Sequence, residues 1–140
     1  MRRILVVDDF QPWREAACEM IEAQAELQVI AQAQDGEEAV QLAFDLKPDL
    51  VVLDIGLPKL NGLTAAVRIF EASPGTKIVF LSQVSDPDIV HAARSVGASA
   101  YVQKRKAGTD LLSAIAIALG SRRQEKFYTC PLCNLPAYSC

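Results

Sequence analysis

Short continuous apolar runs alternate along this chain with stretches of helical periodicity. Ile4–Val7, Leu50–Leu53 and Ile78–Leu81 are compact runs rich in β-branched and other large apolar residues. Runs of this kind suit strands buried on both faces of a parallel sheet. Gln28–Ala33 alternates more and predicts a strand nearer an edge, and Ala100–Val102 predicts a brief fifth strand. Between them, Trp13, Ala16, Ala17, Met20 and Ile21 share one helical face, with Pro12 just ahead where a first-turn proline is tolerated. Further stripes are Ala39/Leu42/Ala43/Leu46, Leu63/Ala66/Val67/Phe70, Ile89/Ala92/Ala93/Val96 and Leu111/Ala114/Ile115/Ala118. Asn61 is placed to cap the third helix, and Thr109 or Asp110 to open the fifth. Breakers mark the joins at Asp35-Gly36, Lys47-Pro48, Ser73-Pro74-Gly75, Val96-Gly97 and Ala107-Gly108. Five strand–helix units in strict alternation predict a doubly wound α/β sandwich with helices on both faces.

Length and composition narrow the class. At 140 residues and 51% hydrophobic, one domain with its own core is expected, over residues 1–120. Residues 121–140 then form a polar, cysteine-containing tail too short for an independent domain. Net charge is −3; residues 1–120 carry 11 basic and 16 acidic side chains. That excess of acid argues against direct nucleic-acid binding and against an anionic membrane surface. No apolar run reaches the ~18 residues of a spanning helix, and Asp8 and Asp9 stop the N-terminal apolar run too early for a secretion signal. A cytoplasmic chain with reduced cysteines is expected.

In open α/β sheets, sites form beyond the carboxyl ends of the strands. There the sequence places Asp8 and Asp9 after the first run, Asp54 after the third, Ser82 after the fourth, and Lys104, Arg105 and Lys106 after the fifth. Three clustered carboxylates repel unless a cation neutralises them, and Mg²⁺ suits one or two carboxylates plus water and phosphate oxygens. A carboxylate can serve as nucleophile to phosphorus, and phosphoryl transfer needs mainly positioning and charge neutralisation. The set therefore suits acceptance of a phosphoryl group on a carboxylate. A phosphohydrolase would want a second acid two residues after the nucleophile, where Gly56 stands. A flavin site would want a Ser/Thr/Gly-rich loop where Asp8-Asp9-Phe10 stands.

These motifs resemble the receiver domain of bacterial two-component response regulators, over residues 3 to about 120. The resemblance rests on Val7-Asp8-Asp9, on Asp54 through Gly62, on Leu81-Ser82 and on Tyr101-Val102-Gln103-Lys104, in that order. It implies a flavodoxin-like five-stranded parallel sheet of order 2-1-3-4-5. It implies Asp54 as phosphoacceptor, with Mg²⁺ held by Asp9, Asp54 and the Gly56 carbonyl and by Asp8 through water. Ser82 and Lys104 would bind phosphoryl oxygens, with Ser82 and Tyr101 as the switch pair and Pro58 and Gly62 shaping the loop that presents Asp54. The implied partners are a sensor histidine kinase or phosphotransfer protein, and downstream a protein partner or a second copy. Asp35-Gly36-Glu37-Glu38-Ala39 is typical of receivers joined to helix-turn-helix outputs. The implied role is that of a phosphoacceptor switch, not an enzyme beyond its own phosphorylation and dephosphorylation. The alternative is a pseudo-receiver acting as a phosphorylation-independent interaction module.

Two positions depart from the family pattern. Arg105 replaces the proline that usually follows the lysine in a cis bond; a non-proline cis bond costs about 3–4 kcal/mol, so either the bond is trans or its neighbours hold the strain. Gln83 replaces a small residue and could narrow access to Asp54. Trp13 and Phe44 read as plain helix packing, Cys18 as a small hydrophobe, and His91 as a solvated helix residue. Ile117 lies off the core face of its helix and, with Leu119, reads as part of a contact surface. In the tail, Cys130-Pro131-Leu132-Cys133 is half of a zinc ribbon, with Cys140 a third ligand for Zn²⁺. A bare tail, a metal or partner contact, and redox use of the pair all remain open.

Overall fold

A computed structural model describes residues 1–120. Cys130, Cys133 and Cys140, and the zinc reading built on them, lie outside the described residues. The described chain runs β1 (Arg2–Val7), α1 (Gln11–Glu22), β2 (Leu27–Ala33), α2 (Gly36–Leu46), β3 (Leu50–Leu53) and α3 (Gly62–Ala72). It continues with β4 (Lys77–Ser82), α4 (Pro87–Ser95), β5 (Ala100–Gln103), a 3₁₀ turn (Lys104–Lys106) and α5 (Ala107–Ala118). The strands pair in parallel in the order β2-β1-β3-β4-β5.

Alternation along the strands divides the core in two. Leu5, Val7, Val51, Leu53, Ile78 and Phe80 face one side, against Ala39 and Ala43 of α2, Ala65, Ala66 and Ile69 of α3, and Val90 and Ala93 of α4. Ile4, Val6, Leu50, Val52, Val79 and Leu81 face the other, against Ala17 and Ile21 of α1 and Leu111, Ala114 and Ile115 of α5. The central strands therefore read as continuous apolar runs, because both faces are covered. β2, an edge strand, keeps Gln28 and Gln32 exposed.

The helices begin where local chemistry permits. Pro12 occupies the first turn of α1. Asp35 caps α2 by accepting from Glu38 N (2.8 Å), and Asn61 caps α3 by accepting from Thr64 N (3.0 Å). Helix α2 ends on Lys47 in the left-handed region (φ 47°) and the turn after α4 uses Gly97 (φ 104°).

Several sequence expectations are corrected. Helix α5 starts at Ala107, not after a Thr109 or Asp110 cap, because the 3₁₀ turn runs straight into it; Gly108, expected as a breaker, lies in its first turn. Thr109 instead donates to Lys106 O (3.1 Å), and Asp110 supplies a carboxylate to the first turn, where the helix dipole favours it. Val67 is 42% exposed: the buried stripe of α3 is Gly62, Ala65, Ala66 and Ile69, rotated from the one predicted. Phe44, expected to pack, is 56% exposed, with Lys47 Nζ 4.6 Å from its ring centroid. Ile117 and Leu119 are half-buried.

Close packing at Gly62 holds the loop after β3. A Cβ there would stand 2.1 Å from the Asp54 carbonyl oxygen and 2.6 Å from Ile55 Cα, both backbone atoms that cannot swing aside. Gly62 N also donates to Ile55 O (2.7 Å). Gly62→Ala is expected to destabilise the domain by about 2–3 kcal/mol, measured as a lowered midpoint in urea unfolding.

Candidate functional site

The carboxyl ends of β1, β3, β4 and β5 converge on one edge of the sheet. Parallel pairing aligns them: Val7 is opposite Leu53, Leu53 opposite Phe80, and Ser82 opposite Gln103. Asp8 and Asp9 therefore leave β1 beside Asp54 leaving β3. Ser82 closes β4, and Lys104 follows β5.

Lys104 lies at the centre. It is 6% exposed, and its Nζ stands 2.7 Å from Asp8 Oδ2 and 3.3 Å from Asp54 Oδ2. A buried ammonium needs such partners, because desolvation strongly disfavours an unpaired charge. Asp8 is buried too and its Oδ1 accepts from Phe10 N (2.9 Å), so this carboxylate is committed on both oxygens. Asp54 Oδ1 accepts from Gly56 N at 3.4 Å. Asp9 is exposed at the surface of the cluster. One carboxylate oxygen from each of Asp8, Asp9 and Asp54 lies within 4.8 Å of the others.

This crowding has an electrostatic consequence. Burial raises the Asp54 pKa above the ordinary carboxylate value; the Lys104 ammonium opposes the rise and the Asp8 charge adds to it. The donor set is all hard oxygen. It fits a hard divalent cation better than a soft one. Asp8 is held most closely, the Asp54 contacts are longer (3.3 and 3.4 Å), and Asp9 stands exposed.

A cleft of about 210 Å³ opens onto the cluster, lined by Asp9, Asp54, Gly56, Ser82 and Lys104, with Phe10, Trp13, Gln83 and Val84 completing its walls. The structure thus brings together Asp8, Asp9, Asp54, Gly56, Ser82 and Lys104. Tyr101 is one step removed. Its buried ring packs near Phe80 (centroids 6.1 Å apart) and its hydroxyl donates to Val84 O (2.6 Å), while Val84 N donates to Ser82 Oγ (3.1 Å). Ser82 and Tyr101 thus grip the same residue from its two backbone polar groups.

Gln83 lines the cleft and is exposed. Arg105 lies in the 3₁₀ turn, and no described peptide bond is cis. Trp13 was missed as a site residue. Its ring centroid lies 5.3 Å from Lys104 Nζ. The available signal was position: Trp13 sits in the first turn of α1, and that end of the helix points to the same sheet edge as Asp9.

An open, doubly wound α/β domain with an acidic cluster and a buried lysine at its strand ends defines the class. The family model of the response regulator receiver domain matches residues 4–116. The transcriptional regulatory protein DegU of Brevibacillus brevis is 32% identical over 115 residues, 82% of this chain and 49% of that protein. A protein-glutamate methylesterase/protein-glutamine glutaminase of Maricaulis maris is 39% identical over 108 residues, 76% of this chain and 27% of that enzyme. Among solved structures, a LuxR-family two-component response regulator from Aurantimonas superposes with a TM-score of 0.81 at 32% identity, covering 85% of each chain. The chain belongs to the response regulator receiver domains of two-component systems. It spans about half or less of the length of these two curated relatives. No helix among the described residues is long and apolar enough to cross a membrane.

A carboxyl whose pKa is raised by folding contributes stability that is complete below its unfolded pKa and lost as pH rises through the folded one. Burial thus makes ionisation of Asp54 increasingly costly to the folded cluster as pH rises. Asp54→Asn is expected to raise Tm in magnesium-free buffer at pH ~7, and the gain is expected to vanish below about pH 4. Thermal denaturation of both proteins across that range checks it.

Proposed function

We propose that this domain accepts a phosphoryl group on Asp54 from a phosphohistidine of a sensor kinase or phosphotransfer protein, and that the phosphorylated form controls a partner. The observation that carries this reading is the buried Lys104 ammonium held between Asp8 and Asp54 in a cleft shared with Asp9 and Ser82. Such a lysine is placed to meet an arriving phosphoryl oxygen without first being desolvated.

Asp9, Asp54 and the Gly56 carbonyl would hold Mg²⁺, with Asp8 reached through water; when bound, the ion supplies charge neutralisation for the carboxylates and the phosphoryl oxygens. An oxygen of Asp54 attacks phosphorus in line with the departing imidazole nitrogen. The phosphorus–nitrogen bond breaks and its electron pair stays on the imidazole. Lys104 pairs with one phosphoryl oxygen while Asp8 keeps the ammonium oriented. The Ser82 hydroxyl donates to a second oxygen.

The switch follows from Val84. Once Ser82 turns to the phosphoryl group, its hydroxyl leaves Val84 N. The Tyr101 hydroxyl, bound to Val84 O, then rearranges with the segment that leads into α4. A local charge change thereby biases a two-state element.

Intact-mass spectrometry after incubation with Mg²⁺ and phosphoramidate tests this. The parent is expected to gain one phosphoryl group, Asp54→Asn none, and Lys104→Ala to react at least about a hundredfold more slowly, the loss of one preorganised charge stabiliser. A folded parent that takes no phosphoryl group would instead favour the phosphorylation-independent interaction module.

A further inference from the structure

A second cleft adjoins the first. It has a volume of about 250 Å³ and is lined by Trp13, Gln83, Ser85, Gln103, Lys104 and Arg105. Trp13, Gln83 and Lys104 belong to both clefts, so the two meet across these three side chains. Their chemistry differs sharply. The first holds Asp9 and Asp54 against one lysine. Among the described residues, the second is lined by Arg105, by the Lys104 already paired with Asp8 and Asp54, by three neutral polar side chains and by an indole, with no carboxylate.

Arg105 is exposed, and its Nε donates to Gln103 Oε1 at 2.8 Å. The Gln103 amide oxygen thereby orients the guanidinium without neutralising it. Held by that neutral contact, the guanidinium presents its positive charge to the cleft. The Trp13 ring offers an apolar wall beside it.

We infer that this second cleft is a leaving-group subsite for acyl phosphates, with Arg105 the residue that sets the preference. The inference rests on Asp54 being the phosphoacceptor. Asp54 is buried at the floor of the first cleft, so an in-line leaving group departs away from it, toward the shared walls. One Asp54 oxygen bonds to phosphorus as the phosphorus–oxygen bond to the acyl group breaks. The electron pair leaves with the acyl oxygen, and the product is a carboxylate; no proton moves. The negative charge that appears on this carboxylate is met by Arg105, and the acyl carbon chain lies against Trp13. A donor whose leaving group is neutral has no such charge to stabilise. Interactions stronger in the transition state than in the ground state are those that accelerate the step.

The test uses the full chain with Mg²⁺ and compares Asp54 phosphorylation rates with two donors, acetyl phosphate and phosphoramidate. Acetate leaves as an anion and ammonia leaves neutral. Their rate ratio isolates the leaving-group term from general attraction of anionic donors. In Arg105→Gln the acetyl phosphate to phosphoramidate ratio is expected to fall about fivefold, the scale of an exposed, partly screened charge contact. Arg105→Lys, which keeps the charge, is expected to stay within about twofold of the parent. The parent-to-Gln difference should shrink at about 1 M salt, where the screening length is ~3 Å. An unchanged ratio in Arg105→Gln overturns the subsite, whether both rates fall together or neither does; so does an equal loss in Arg105→Lys. A parent that reacts with neither donor overturns the phosphoacceptor reading itself, a result distinct from an unchanged ratio.

Discussion

The Lys104 ammonium sits almost wholly out of water, 2.7 Å from one carboxylate and 3.3 Å from another. Removing Asp8, the nearer partner, would leave the buried ammonium short of compensation, a change that commonly costs several kcal/mol. The pair of contacts therefore ties the ends of β1, β3 and β5 to one another. It also leaves an imbalance: the Asp8, Asp9 and Asp54 carboxylates cluster together while one ammonium pairs with two of them, and burial already presses Asp54 toward its protonated form. The cluster is stable as a fold element and unsatisfied as an electrostatic one. That residual negative charge is what a divalent cation would neutralise, and the proposed phosphoryl transfer depends on that neutralisation.

The rest of the domain serves that arrangement. Parallel strands covered on both faces place their carboxyl ends in one row. The loop from Asp54 to Gly62 is pressed against its own backbone, and Asn61 starts α3 immediately afterwards. The backbone that carries Asp54 is thus fixed from both sides. The other side of the cleft is built differently. The chain from Gln83 to Asp86 is exposed, and at Val84 its N–H donates to Ser82 Oγ while its carbonyl accepts from the Tyr101 hydroxyl. A rigidly held Asp54 beside a lightly held segment is the division of labour the proposed switch requires.

Much of this was legible before the structure. The β-branched runs located the central strands, strict strand–helix alternation gave the doubly wound class, and the sheet order came from the receiver resemblance. Asp8, Asp9, Asp54, Ser82 and Lys104 were legible as site candidates because each follows or ends an apolar run. What escaped was whatever depends on rotation about a helix or on contacts between distant segments. The α3 stripe was misread because alanines at 65 and 66 pack as tightly as larger residues, leaving Val67 outward. Ala107-Gly108 looked like a break because a glycine there weakens a helix, yet the 3₁₀ turn ahead of it carries the chain into α5 without interruption. Phe44 is apolar by type but projects from α2 beside Lys47. Spacing does not say which partner a carboxylate chooses, so the commitment of Asp8 to Lys104 and the approach of Trp13 to the same ammonium emerged only in three dimensions.

Trp13 is the sole tryptophan, and its ring lies within 5.3 Å of Lys104 Nζ. Its fluorescence therefore reports on the charge state of the cluster. Magnesium titration followed by Trp13 emission, in the parent and in Asp9→Asn, is the most direct test of a cation-dependent acidic site. A saturable change in the parent that is lost or shifted to much higher magnesium in Asp9→Asn is the predicted result. A parent that gives no saturable change, or a variant that titrates identically, would contradict the account.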